Sequence, residues 1–85
     1  MMVTEIGERI RVGAVFREEG QKIEPRWFFW KGKKTTVKQV SYMWREREGK
    51  ELICRFAVTD GCTLYELSYW QDKLLWVLDA VETDG

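Results

Sequence analysis

Apolar and polar residues alternate with a period of two along most of this chain, the pattern of strands buried on one face. Turn residues divide it into six such segments, at about 8–17, 22–30, 35–46, 50–59, 62–70 and 73–82. The clearest reversal is Asp60-Gly61, because Gly tolerates the positive φ that a two-residue hairpin turn requires. Folding about it sets Thr59 opposite Cys62, then Phe56/Tyr65, Cys54/Leu67 and Leu52/Tyr69 on one face, with Arg55/Glu66 as an ion pair on the other. Arg47-Glu48-Gly49, read as a three-residue loop closed by a left-handed Gly, pairs Trp44/Leu52, Tyr42/Cys54 and Val40/Phe56. Tyr42 and Trp44 thereby join the same inner face. An even turn at Gln71-Asp72 adds Leu74, Trp76, Leu78 and Ala80 to it and points Leu75, Val77 and Val81 outward.

The first two strands carry a conflict of parity. A two-residue turn at Glu19-Gly20 places Trp27 and Phe29 inward, whereas a four-residue turn at Lys31–Lys34 pairs Phe28/Val37 and Trp30/Thr35. A bulge near Pro25, or one between Val37 and Val40, reconciles the two. No segment has a helical period. The expected fold is all-β: a six-stranded antiparallel meander, residues 1–85 forming a single small domain, curled into a small barrel or a half-open roll. The alternative is an open curled sheet that dimerises through its outer apolar strip.

Composition narrows the function classes. Eighty-five residues bury roughly 60% of their unfolded surface, so the core is thin and leans on the five Trp, four Phe and three Tyr. The chain has no histidine, which removes the commonest general base and the commonest metal ligand. Cys54 faces inward and Cys62 lies beside a turn, so neither a disulfide nor a zinc site is expected. No phosphate-cradling Gly loop, nucleophile elbow or dinucleotide fingerprint occurs. The carboxylate pairs Glu18/Glu19 and Glu46/Glu48 sit beside Lys or Arg at turns and read as solvated charge. The expectation is a protein that is not an enzyme and uses no cofactor or metal. The N-terminal residues lack an apolar signal-like region and no run of 18 apolar residues occurs, so a cytoplasmic location is expected.

Net charge is zero but unevenly spread. Residues 1–50 hold 12 Lys/Arg and 7 Asp/Glu, and residues 51–85 hold 2 and 7, giving +5 and −5. The densest positive stretch is also aromatic: Arg26-Trp27-Phe28-Phe29-Trp30-Lys31-Gly32-Lys33-Lys34, with Lys38 beyond. Alternation sends two of its four rings to each face. The candidate binding residues are Arg26, Trp27, Phe29, Lys31, Lys33, Lys34 and Lys38, with rings to stack or pack and cations to contact charge. The plainer reading is that the rings are core and the lysines protect a strand edge. Leu75, Val77 and Val81, with Leu64 and Ala57 on neighbouring strands, form an outer apolar strip that is either a protein or homodimer interface or a second layer of core. The functional expectation is a macromolecule-interaction module for a protein partner or self-association, with single-stranded nucleic acid as the alternative. A cavity holding a small molecule, as in a carrier, is the remaining reading.

The spacing Phe28-x-Trp30-x-Gly32, then Val37, Val40 and Trp44, then Tyr65-x-Leu67 and Trp76-x-Leu78, resembles a family of small bacterial all-β proteins catalogued as a domain of unknown function. The resemblance spans about residues 8–82. It implies a bacterial, cytosolic protein in which Phe28 and Trp30 face the core and Trp27 and Phe29 face outward. That family carries no established activity, so the resemblance assigns none.

Overall fold

The computed structural model describes residues 2–83, apart from the side chain of Gln21. Every strand is rich in β-branched or aromatic residues, and each reversal is made by Gly or a short polar run. Seven strands form: β1 (Met2–Arg17), β2 (Lys22–Trp30), β3 (Lys33–Thr36), β4 (Gln39–Glu48), β5 (Glu51–Thr59), β6 (Leu64–Trp70) and β7 (Leu75–Thr83). All neighbours are antiparallel, in the order β3-β2-β1-β7-β6-β5-β4.

The long β1 joins the two halves. Its first part, Met2 to Ile10, pairs with β7, and its last part, Arg11 to Arg17, pairs with β2. Gly7, at φ 68°, lies in the irregularity between Glu5 and Glu8 where β1 breaks its register with β7. The sheet therefore folds over itself at β1. The expected third strand, 35–46, is in fact two strands, β3 and β4, at opposite edges of the sheet. Only Val37 and Lys38 join them, so the two edges must approach one another there. The strap makes the approach explicit: Val37 N–H donates to the Arg26 carbonyl of β2, and Lys38 N–H donates to the Thr59 carbonyl of β5, each at 2.8 Å. The sheet is a half-open roll, not a closed barrel.

The core lies inside the roll. Cys54, Phe56 and Val58 of β5, Tyr65, Leu67 and Tyr69 of β6 and Trp76 and Leu78 of β7 meet Phe28 of β2. Tyr69 and Trp76 lie 4.8 Å apart, and Phe28 meets the edge of Tyr65 at 5.0 Å, which ties the β2–β3 hairpin to the far side of the roll. Ring pairs at these separations add to what burial contributes.

Turn lengths differ from the expected ones, with unequal consequences. The Asp60 turn spans four residues rather than two, giving Thr59↔Leu64, Val58↔Tyr65, Phe56↔Leu67 and Cys54↔Tyr69. An even change slides the partners but keeps Cys54, Phe56, Tyr65, Leu67 and Tyr69 on their expected face, whereas Leu52, expected beside them, lies near the strand end and is exposed. Arg55 consequently faces Ser68, not Glu66. The Gly49 turn has two residues rather than three, pairing Glu48↔Glu51, and this odd change reverses β4. Met43 now lies opposite Phe56 and packs on the core, while Tyr42 and Trp44 point away from Leu67 and Trp76, Tyr42 being 65% exposed. A bulge at Ser41 returns Val40 to the core opposite Val58.

The last strand is also corrected. Leu74 is part of the turn and is exposed, whereas Trp76 and Leu78 are inward as expected. A bulge at Asp79 pairs Ala80 with Glu66, leaving it buried but outside the core cluster, and brings Val81 onto the core. Val81 is thus removed from the outer strip. Leu64, Leu75 and Val77 remain outside the core cluster, half-buried rather than exposed.

Candidate functional site

The hairpin of β2 and β3 decides how the aromatic-basic stretch is presented. Arg17↔Lys22 sets the register that would turn Trp27 inward. Arg26, beside Pro25, is an extra residue: Ala14 pairs with Pro25 and Gly13 with Trp27. Pro25 has no N–H to contribute to a ladder, so the irregularity falls where a ladder bond is already missing. The bulge sends Phe28 and Trp30 to the core side and Trp27 and Phe29 outward, the division implied by the family resemblance. Trp27 lies across Gly13, where a Cβ would stand 2.1 Å from its ring, so the close packing of that indole depends on a residue with no side chain.

Trp27 and Phe29 meet edge to face at 5.5 Å, and both are half-exposed. Each ring carries a cation: Lys34 Nζ is 5.1 Å from the Trp27 ring, and the Arg11 guanidinium is 4.9 Å from that of Phe29. Beyond them the chain reverses through Lys31-Gly32, with Trp30↔Lys33 and φ values of 53° and 69°. Two successive positive φ angles mark the turn type that favours Asn or Gly. Lys31 occupies it instead, its Nζ 4.8 Å from the Trp30 ring. The tighter turn still gives Phe28↔Thr35, so parity is unaffected.

Two open grooves flank the strap of Val37 and Lys38. One, of about 420 Å³, is lined by Trp30, Lys31, Lys33, Lys34, Lys38, Asp60 and Tyr65 together with the two threonines of β3. The other is lined by Glu24, Arg26, Lys38 and Gln39 among others, so it carries one carboxylate beside its two cations. All five cations singled out in the sequence thus line one or both grooves, and Lys38 belongs to both. Trp27 and Phe29 lie outside the grooves, on the outer face, and Lys34 reaches both places.

The carboxylate in the first groove is already engaged. Asp60 accepts hydrogen bonds from the N–H of Thr63 at 2.8 Å, from the N–H of Cys62 at 2.9 Å and from the hydroxyl of Tyr65 at 3.2 Å. Burial pushes its pKa up, but these donors outweigh burial and hold it below the ordinary value of 3.8. Burial, followed by the Asp60 charge, raises the Tyr65 phenol. Arg26 shares Glu24 with Arg17, at 3.1 and 2.8 Å, so its charge is partly compensated.

A second charged region crosses the outer face of β4 to β7. Arg55 donates from Nε to Glu46 at 2.8 Å and from Nη1 to Asp79 at 2.9 Å. Trp44 Nε1 donates to Glu46, Ser68 Oγ donates to Asp79, and Trp70 Nε1 donates to Ser68 Oγ. Burial raises the Asp79 carboxyl above its ordinary value, against the hydrogen bond from Ser68 and the charge of Arg55. Ser68 and the neighbouring Ile53 are fully buried. The odd-length reversal of β4 that moved Trp44 outward is what completes this network. A signal for it was present, since Trp44 and Glu46 share a face at spacing two, but it could not be read without the register.

Among the described residues, no group of three or more His, Cys, Asp or Glu is placed to hold a metal ion. Both cysteines are free, Cys54 in the core and Cys62 exposed. Among the described residues, no helix is long and apolar enough to cross a membrane. Comparison with family models, curated proteins and solved structures gives no match to this chain.

Proposed function

We propose that the protein is a non-catalytic interaction module that meets a negatively charged macromolecule with its β2–β3 hairpin. The observation that carries this reading is the surplus of cations at the seam of the roll. Residues 22–38 contain six Lys/Arg and a single Glu, a net +5 equal to the whole excess of the first fifty residues. The four lysines of the first groove face one carboxylate, and that carboxylate already takes two hydrogen bonds from its own turn and one from Tyr65 of β6. Like charges gathered in a groove are stabilised by an anionic ligand and cost stability without one. The half-buried state of Leu64, Leu75 and Val77 gives the outer strip less to offer a partner than the hairpin has. Free cysteines suit work in a reducing cytoplasm. The resemblance to a family of small bacterial proteins of unknown function is part of the same reading and rests on Phe28-x-Trp30-x-Gly32, Val37, Val40, Trp44, Tyr65-x-Leu67 and Trp76-x-Leu78.

Retention on a heparin column at low salt and pH 7.5 tests the proposal. A protein with sequence pI near 6.3 is retained only if its charge is concentrated locally. The expected result is retention that Lys31→Gln/Lys33→Gln/Lys38→Gln abolishes. Passage of the unaltered protein straight through the column would refute the reading.

A further inference from the structure

Resting on that reading of the hairpin, we infer that the anionic partner is a single-stranded nucleic acid, its phosphates lying along the two grooves beside the strap and its bases on Trp27 and Phe29. The two surfaces adjoin through β3, a four-residue strand at the sheet edge. Lys34 lines the groove and also lies over Trp27, so one side chain spans the phosphate path and the stacking pair. Lys38 continues the path into the second groove, towards Arg26.

The energetics of exchange favour this occupant. A base stacked on an exposed ring contributes more than a cation held over it does. A base arriving with its own phosphate displaces Lys34 or Arg11 from the ring and supplies the displaced cation with a new partner. An acidic peptide supplies the charge but no flat group to take the ring. A duplex supplies both, but keeps its bases paired and turned inward. The cations of the first groove are all lysines, which meet phosphate as point charges. Lys31 has the strained left-handed backbone at the tip of the hairpin, where Asn or Gly would fit without strain. Strain retained at a charged tip accords with a binding role there.

Fluorescence anisotropy of a labelled oligothymidylate of about twelve nucleotides tests the inference, since single-strand sites span about 4–16 nucleotides. A duplex of equal length and polyglutamate serve as competitors, and heparin retention is measured in parallel. The expected result is at least about ten-fold preference for the single strand over the duplex. The slope of log affinity against log salt should be about −3, four phosphates each contributing about −0.7. Phe29→Ala should weaken binding about ten-fold with heparin retention intact. Trp27→Leu, which keeps apolar cover over Gly13, supplies the same readout should Phe29→Ala unfold. Retention on heparin with no oligonucleotide binding, equal affinity for duplex, or equal competition by polyglutamate would overturn the nucleic-acid inference and leave the interaction module standing. Loss of heparin retention as well would remove both.

Discussion

The hairpin seam and the Arg55 network are both clusters of charge on one small sheet, and they differ in how those charges are matched. Arg55 is held between Glu46 and Asp79, with indole N–H groups of Trp44 and Trp70 closing the two ends of the chain of hydrogen bonds. Its side chain is only 22% exposed. At the seam, four lysines converge on a groove whose one carboxylate is bound by its own turn. The network runs from the edge strand β4 across β5 and β6 to β7, so Arg55 on β5 finds a carboxylate on either side of its own strand. The seam lies at the edges, where β3 has a neighbour on one side only. Charge matched across neighbouring strands holds register; charge left unmatched at the seam is available to a ligand.

The largest expected effect comes from detaching the hairpin. Phe28 is fully buried and is the only β2 residue in the buried core cluster. Phe28→Ala should cost about 3–5 kcal/mol, read as a lower denaturant midpoint, and should abolish heparin retention by freeing the seam. A midpoint within 1 kcal/mol of the unaltered protein, on the scale of about 3–5 expected, would show that the hairpin is held by something else.

Arg55→Ala comes next. Removing one member of a buried pair costs about 3–5 kcal/mol, and partial exposure here lowers the expectation to about 2. Heparin retention should be unchanged. If retention falls together with stability, the two regions are not separate.

The two aspartates sharpen the contrast through pH. Asp60 is held below 3.8, so its contribution is present above that value and is lost as pH falls through its lower folded value. Asp60→Asn should therefore flatten the acid limb of stability below the ordinary carboxyl value of 3.8. Asp79 is held above 3.8, so the associated stability is present below that value and is lost as pH rises through its higher folded value. Asp79→Asn should flatten that opposite slope. Denaturant midpoints followed across pH distinguish the two, and slopes of the same sign would contradict the opposed environments described here.

The smallest effect on stability belongs to Lys33→Gln. Exposed side chains away from structural features change stability by about 0.5 kcal/mol or less. Affinity for heparin should nevertheless fall, and an unchanged elution salt would take Lys33 out of the site.

Much of this was legible in the chain. Alternation assigned Cys54, Phe56, Tyr65, Leu67, Tyr69, Trp76 and Leu78 to the interior, where they lie. It also located the aromatic-basic hairpin, and of the two positions it left open for a bulge, near Pro25 or between Val37 and Val40, the one near Pro25 orients the hairpin. Tyr42 and Trp44 were misplaced because their face depended on one residue of turn length at Gly49. A strand has a period of two, so an error of one reverses every side chain while an error of two reverses none. The Asp60 turn shows the harmless case. Its carboxylate draws two loop N–H groups and the Tyr65 hydroxyl together, which lengthens the turn by an even count.

Residue order alone determined that this chain is all strand, which residues are apolar enough to form its interior and where its positive charge is concentrated, because these follow from local alternation and composition. Tertiary structure alone decided that the expected third strand divides at Val37 and Lys38, that β3 and β4 lie at opposite edges, and that five cations meet beside the strap. Those outcomes depend on which strands find one another across the roll. The partners that fix them, the carbonyls of Arg26 and Thr59, lie 11 and 21 residues from the amides they bind, beyond the reach of any local pattern.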